Sequence, residues 1–275
     1  MIFSYHSDFV SDLLADALRE RGWSVRSLGP SAESDAGALL LETAGADIVL
    51  SSPLEYARAV GVIDHALVPG VAITTRGLAG LIRLLFIQGR EDIQQVVTRR
   101  GHPCETLACS IALTEKYDIE PSFIDVDPDM SLGQMLARGD AVLLTGDDAI
   151  LDVGERRSFL DISDEWEDLF EVGLPYRIAW GPIGRVDQRM IDTLIEARDA
   201  AMARLAAPPP GQPDLRASAL HKAFRRGDIS CELGDEEIRG LETFFRYAYY
   251  HGAIPDIPAI KFLSDQTAEK AGNDL

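Results

Sequence analysis

A chain of 275 residues with 45 acidic against 26 basic side chains carries a formal charge of −19. That field repels a phosphate backbone, so nucleic acid is excluded as a partner, and no apolar run approaches the ~20 residues of a membrane-spanning helix. Hydrophobic residues at 46% and charged residues at 26% are a globular mixture, long enough for one large domain or two lobes with separate cores.

The elements alternate from the start. Residues 2–5 read as a strand and 8–21 as a helix that Gly22 ends. A second strand is expected over 24–28, a helix over 35–43 and a short buried strand over 48–50. Ser52, Pro53 and Glu55 then form the start of a helix: an N-cap, a proline at the first helical position and a capping box. Strands follow over 71–75 and 81–87, on either side of Arg76-Gly77-Leu78-Ala79-Gly80. Residues 93–145 repeat the alternation, with helices over 105–117 and 131–137 and strands over 122–126 and 141–145. The last strand ends in a Gly146-Asp147 turn that opens a helix. Residues 176–180 return as a strand, and helices follow over 187–205, 217–225 and 235–251. Pro208 to Gly211 reads as a loop, and the tail around Lys270 as frayed.

Two alternating blocks, crossed near 77–83 and 174–182, predict an α/β fold of two lobes. One lobe is residues 1–80 plus 181–275 and the other 81–180, with a ligand cleft between them and hinge-like closure, as in bilobed solute-binding proteins. Strands that feed helices place backbone N–H groups and short polar side chains at strand carboxyl ends, where open α/β sheets bind ligands.

Four helix starts supply the candidate site. Ser7 and Asp8 follow the first strand; Ser7 is read as a carboxylate donor and Asp8 as a base, or one of them as an N-cap. Ser51 and Ser52 begin the next helix, where free N–H groups suit a carboxylate. Thr106 is a ligand-hydroxyl candidate, with Glu105 complementing the helix dipole. Gly146 and Asp147 form the fourth start, with Asp147 a hydroxyl-orienting group or a cap. Arg76 and Arg83 are the nearest cations, or else surface ion pairs. Together these residues suit a small dianion.

Other chemistries find no support. The five histidines lack metal-ligand spacing, so no metal is expected, and no cofactor is implied. His6 stands out only because it adjoins Ser7. Neither a GxSxG elbow nor a phosphate-binding loop is present. Cys104, Cys109 and Cys231 make no disulfide framework, which together with the lack of a secretory signal suggests reduced thiols in the cytoplasm. Trp166, Tyr176 and Trp180 read as core, with Trp180 at the hinge. The oligomeric state is left open.

The chain resembles the chorismate dehydratase family of the futalosine route to menaquinone, which has a periplasmic-binding-protein type II-like fold. The resemblance rests on 51–57 (Ser-Ser-Pro-Leu-Glu-Tyr-Ala), 67–73 (Leu-Val-Pro-Gly-Val-Ala-Ile), 141–149, 161–166, 173–180 and 233–252, in that order and spacing. Two positions depart from the family. Its Ser-Tyr-Leu-Asn-Thr opening is here Ser4-Tyr5-His6-Ser7-Asp8, and its Gly-Ser after the crossing loop is Gly80-Leu81. A sister enzyme that cleaves a cyclic futalosine derivative matches less well, because its strand-end motif carries a histidine where Gly146-Asp147 stands. The resemblance implies a lyase that removes water from chorismate, giving 3-[(1-carboxyvinyl)oxy]benzoate without a cofactor. Ser7, Asp8 and Asp147 would be catalytic; Ser51, Ser52, Arg83, Thr106 and Gly146 would bind substrate. Arg83, two residues on and on the same strand face, would replace the hydroxyl lost at Leu81, or else Leu81 narrows the pocket and chorismate is no longer the ligand; besides Asp8 and Asp147, the substrate's own carboxylate could assist proton transfer. The alternative is a non-catalytic or diverged binder of a small carboxylate or aromatic acid.

Overall fold

The computed structural model describes residues 1–28, 43–60, 62, 64–86, 92–99, 102–151, 158–209 and 214–263. In chain order the elements are β1 (Ile2–His6), α1 (Phe9–Glu20), β2 (Ser24–Leu28), β3 (Ile48–Ser51), α2 (Pro53–Val60), β4 (His65–Thr75), β5 (Ile82–Phe86) and β6 (Gln95–Arg99). They continue with α3 (Pro103–Tyr117), β7 (Ser122–Val126), α4 (Leu132–Leu136), β8 (Ala141–Thr145), α5 (Gly146–Leu151), β9 (Phe159–Asp161) and α6 (Ile162–Phe170). Last come β10 (Leu174–Pro182), α7 (Gln188–Ala206), α8 (Leu215–Arg226), β11 (Ile229–Ser230) and α9 (Asp235–Tyr250). The helix expected over 35–43 lies outside the described residues except for Thr43, which is in a turn. The tail around Lys270 and the residues Pro210 and Gly211 also lie outside them.

The chain divides into two compact units, Met1–Thr74 with Pro175–Ala207 and Ser230–Leu275, and Thr75–Leu174 with Pro208–Ile229. The first contains a six-stranded sheet in the order β11-β4-β10-β3-β1-β2. β1 runs parallel to both β2 and β3, whereas β10 is antiparallel to β3. All four residues of β3 are buried, as are Phe3, Ser4 and Tyr5 in β1. Strands covered on both faces read as continuous apolar runs rather than as alternation, which is why their sequence signal is short and dense. Trp180, Tyr56, Phe244 and Phe245 are fully buried here, and the Trp180 indole N–H donates to Ser51 Oγ at 2.9 Å.

The second unit holds a five-stranded sheet in the order β7-β6-β8-β5-β9. β6 is parallel to β7 and β8, and β5 is antiparallel to β8 and β9. Leu85, Val97, Val126, Met135, Val142, Leu144 and Ala149 form one of its apolar clusters. On the other side α3 packs on α6, with Lys116 Nζ 2.7 Å from Glu165 and 3.0 Å from Asp168.

Three features differ from the sequence expectation. β4 begins at His65 rather than at 71, because Pro69 and Gly70, which look like a break, are absorbed into a long strand. β9, three residues at a sheet edge, is too short to show a period. Residues 208–229 belong to the second unit rather than to the first, since α8 packs on α5 and Arg216 of α8 pairs with Asp147 there. Helical periodicity alone says nothing about which core a helix joins.

Gly181 tests the β10–β3 contact. A Cβ there would lie 2.5 Å from the Asp47 carbonyl oxygen and 3.0 Å from Val186 Cγ2. Gly181→Ala is expected to destabilise by about 1–3 kcal/mol, read from urea unfolding. Gly133→Ala, where an added Cβ meets nothing within 4 Å inside α4, is the control and should hold or slightly raise stability.

Candidate functional site

In the first unit the carboxyl ends of adjacent parallel strands β1 and β3 bring His6, Ser7 and Asp8 beside the Ser51-Ser52 start of α2. The expected capping box is present. Ser52 N and Ser52 Oγ both donate to Glu55 Oε2 at 2.9 Å, and Glu55 N returns a bond to Ser52 Oγ at 3.3 Å. Its other oxygen, Oε1, lies 2.8 Å from His6 Nε2. Glu55 is only 2% exposed. Burial pushes its carboxyl up, but the hydrogen bond and charge of His6, with both Ser52 donors, more than offset that and bring it down to about 2.

Ser7 is exposed, and its hydroxyl donates to Asp12 Oδ1 at 2.9 Å; the Tyr5 hydroxyl donates to the same oxygen at 2.8 Å. Ser51 Oγ accepts from Trp180 and is fully buried, so it supports the strand end from behind. Asp8 is the N-cap of α1. Its Oδ1 accepts from Ser11 N at 2.8 Å, and its Oδ2 from Ser11 Oγ at 2.9 Å. Arg177 Nε lies 3.5 Å from that second oxygen. Burial raises the Asp8 carboxyl, against the opposing pull of Arg177 and the Ser11 donors.

The second unit repeats the pattern at the carboxyl ends of parallel β6 and β8. Thr106 lies in the first turn of α3, which begins at Pro103 rather than at 105; Thr106 is half-buried, and its N–H donates to the His102 carbonyl at 3.0 Å. Gly146 sits at φ +55° and its N–H donates to the Leu81 carbonyl at 2.7 Å, so that donor is committed within the protein. Asp147 Oδ2 accepts from Arg216 Nη1 at 2.5 Å, while Oδ1 is buried without a hydrogen-bond partner. The sequence gives no signal for Arg216, because the helix is expected only from 217 and in the other lobe, whereas it begins at Leu215 and packs beside Asp147.

The crossing loop is pinned by carboxylates. Gly77 N donates to Glu167 Oε2 at 2.8 Å, and Gly80 N to Asp161 Oδ2 at 2.7 Å. Arg83 folds back on this loop rather than extending from it. Its Nη1 donates to the Ala149 carbonyl at 3.0 Å, its guanidinium lies 4.8 Å from the Phe159 ring centroid, and its Nη2 would sit 2.9 Å from a Cβ on Gly80. Leu81 is 2% exposed. Among the described residues no three His, Cys, Asp or Glu side chains gather into a group that would hold a metal ion. Cys104, Cys109 and Cys231 are buried and form no disulfide among the described residues. Nor is any helix among those residues long and apolar enough to cross a membrane.

A family described as menaquinone biosynthesis matches residues 38–250. Comparison with curated proteins gives no match. Solved structures show the same fold at low identity. An Archaeoglobus fulgidus protein has a TM-score of 0.68 at 12% identity, covering 92% of this chain and 98% of its own. A Bordetella bronchiseptica RB50 protein has a TM-score of 0.63 at 13% identity, covering 98% and 97%. The alkanesulfonate-binding protein of Xanthomonas axonopodis pv. citri, solved with MOPS bound, has a TM-score of 0.61 at 12% identity, covering 97% and 96%. The fold is therefore the two-lobed α/β architecture of type II periplasmic binding proteins.

Two buried carboxyls should make stability depend on pH with opposite signs. Glu55, lowered to about 2 from an ordinary 4.5, contributes stability that is present above 4.5 and lost as pH falls towards 2. Asp161 is raised to about 7 from 3.8 by burial, against the Gly80 and Ser163 N–H donors and Arg83. Its folded form holds a proton that the unfolded chain has released, so stability should fall as pH rises from 3.8 through 7. Asp161→Asn is expected to flatten that neutral-side slope in denaturant titrations, and Glu55→Gln the acid-side one. Unchanged slopes would show that the carboxyls do not titrate as described.

Proposed function

The chain belongs to the menaquinone-biosynthesis family, and on that premise we propose that it is a lyase that removes water from chorismate to give 3-[(1-carboxyvinyl)oxy]benzoate. The family match over residues 38–250 carries this reading. The chemistry asks little of a cofactor. Loss of a ring hydrogen and the neighbouring hydroxyl makes an aromatic ring, so the driving force is in the substrate. The protein has to bind carboxylates, orient the ring and exclude water.

Within the first unit, Ser7 and Ser52 are assigned to substrate binding, with the fully buried Ser51 supporting them from behind. Ser7 offers an exposed hydroxyl oxygen that Asp12 holds at a defined place and that must exchange its Asp12 bond to donate to a carboxylate, Ser52 begins the helix whose capping box takes up Ser52 N and Glu55 N, and Ser51 holds the strand end. Asp8 is assigned to the same group as the cap that positions Ser7, since both of its oxygens already accept from Ser11. Within the second unit, Thr106 is assigned to a substrate hydroxyl, and Asp147 keeps one unpartnered oxygen for the same purpose. Gly146 and Arg83 shape that strand end through Leu81 and Ala149. The protein acts in the cytoplasm on this reading.

A second reading, a protein that binds a small carboxylate without turning it over, is favoured by one observation: Asp8, a carboxylate expected to serve as base, is fully engaged in capping. The sulfonate ligand of the Xanthomonas binding protein suits the same class of small anion.

Chorismate mixed with the purified protein separates the two. Loss of the diene absorbance with appearance of an aromatic product supports the lyase, and binding by calorimetry without conversion supports the binder. Ser7→Ala is expected to weaken chorismate binding by about 1 kcal/mol, roughly fivefold. Unchanged affinity in Ser7→Ala, with affinity lost in Ser52→Ala, would leave Ser7 a structural role only.

A further inference from the structure

We propose that the chain pairs with a second copy of itself through the outer face of α9, with Glu242 of each copy opposite Arg246 of the other. The pairing is independent of the reaction proposed above. Between α9 and residues 257–260 lies a cavity of about 450 Å³, lined by Glu242, Phe245 and Arg246 on one side and by Ile257, Pro258 and Ile260 on the other. Both sides are anchored in the first unit. Phe245 is fully buried and stacks on Tyr56 with ring centroids 6.1 Å apart. Beyond Ile260, the Lys261 carbonyl accepts from Leu67 N of β4 at 2.8 Å. The groove therefore has fixed walls.

Apolar side chains on this face are open to water. Ile257 is 50% exposed and Tyr250 65%. Tyr250 packs against Tyr247 and Tyr249, with ring centroids 5.9 and 6.0 Å away. Aromatic and aliphatic surface beside a charged rim is the composition of a protein–protein contact.

Charge identifies the occupant. Two chains of −19 repel each other over most of their surface, and at physiological ionic strength that repulsion acts over about 8 Å. Contact between copies thus needs a face on which opposite charges meet. Glu242 and Arg246 are exposed and stand four residues apart on α9, so they share one side of the helix. Neither makes an ion pair or side-chain hydrogen bond among the described residues. An antiparallel copy of α9, related by a two-fold axis at the level of Phe244, brings position 242 of each chain opposite position 246 of the other. The same axis sets Arg239 opposite Tyr249, the pairing of a cation with an aromatic face. A two-fold contact makes every such interaction twice. A wholly acidic partner would meet Glu242 with like charge, and a wholly basic one Arg246. The surface that matches carries both signs in reversed order, which is this face turned by two-fold symmetry. Exposed ion pairs add little strength by themselves, so the apolar groove supplies the strength and the charges set the register.

Sedimentation of the full chain tests the pairing. The wild type is expected to be a dimer at ~100 μM chain. Glu242→Arg sets like charges against each other at both pairs, as does Arg246→Glu, and each is expected to weaken dimerisation at least ~10-fold. The double variant Glu242→Arg/Arg246→Glu exchanges the two signs and should return to within about threefold of the wild type. Mixed in equal amounts, the two single variants should form a heterodimer, because each supplies the sign that the other lacks. Ile257→Asp, at the apolar wall, is expected to weaken dimerisation at least ~10-fold as well. Should one variant fail to fold, the wild type and the remaining reversal decide. A wild type that stays monomeric at ~100 μM overturns the proposal and leaves the groove to residues 264–275 or to a different protein. A dimer that both single reversals leave within about threefold of the wild type overturns it too, since the contact then lies elsewhere. So does a mixture of the two single variants that stays monomeric. Chorismate turnover takes no part in these readouts, so none of them bears on the dehydratase reading.

Discussion

A carboxylate buried to 2% exposure has to find a donor for each oxygen, and Glu55 is the group on which the first unit's strand ends depend. The cost of burying an unpaired charge exceeds that of almost any local rearrangement. Three donors meet that demand: two from Ser52, which begins α2, and one from His6, which ends β1. One side chain thus joins the end of a strand to the start of a helix 49 residues away in sequence. Because the donors come from two elements, the positions of β1 and α2 are coupled, and Ser7 follows β1 directly.

The same constraint accounts for five further carboxylates. Asp8, Asp161, Asp187 and Asp214 each accept from a backbone N–H in the first turn of a helix. Glu237 accepts from Gly234 N at 3.1 Å at the start of α9. Anions at helix N-termini satisfy orphan N–H groups and complement the helix dipole. These carboxylates are therefore structural in use. Asp161 extends the principle, since beyond capping α6 it accepts from Gly80 and fixes the loop that leads into β5. Its burial raises its carboxyl to about 7, whereas the better-supplied Glu55 stays ionised.

The legible parts of this molecule were those with local chemical signals. The Ser52–Glu55 capping box, the parallel β1, β3, β6 and β8 with helices opening at their carboxyl ends, and the buried Trp166 and Trp180 all follow from short-range pattern. Less legible were the side-chain partners. Asp12 beneath Ser7, Arg177 beside Asp8 and Arg216 on Asp147 lie 5, 169 and 69 residues from the groups they hold. No spacing rule announces such pairs. Arg83 lies on β5 as expected, yet its guanidinium turns to Ala149 and Phe159, because a cation on a long flexible stem goes to the nearest acceptor and aromatic face.

By itself the sequence determined which segments become strands and helices, the order of polar groups at their junctions and the family to which the chain belongs. Periodicity, capping and turn chemistry act over a few residues, and those are written in the chain. The tertiary structure alone decided which core each helix joined, so that α8 went to the second unit, and which donors met each buried carboxyl. Those choices are set by desolvation: a charge leaving water takes whatever partner the packed fold brings within hydrogen-bond reach, and for Glu55 that partner is His6 at 2.8 Å.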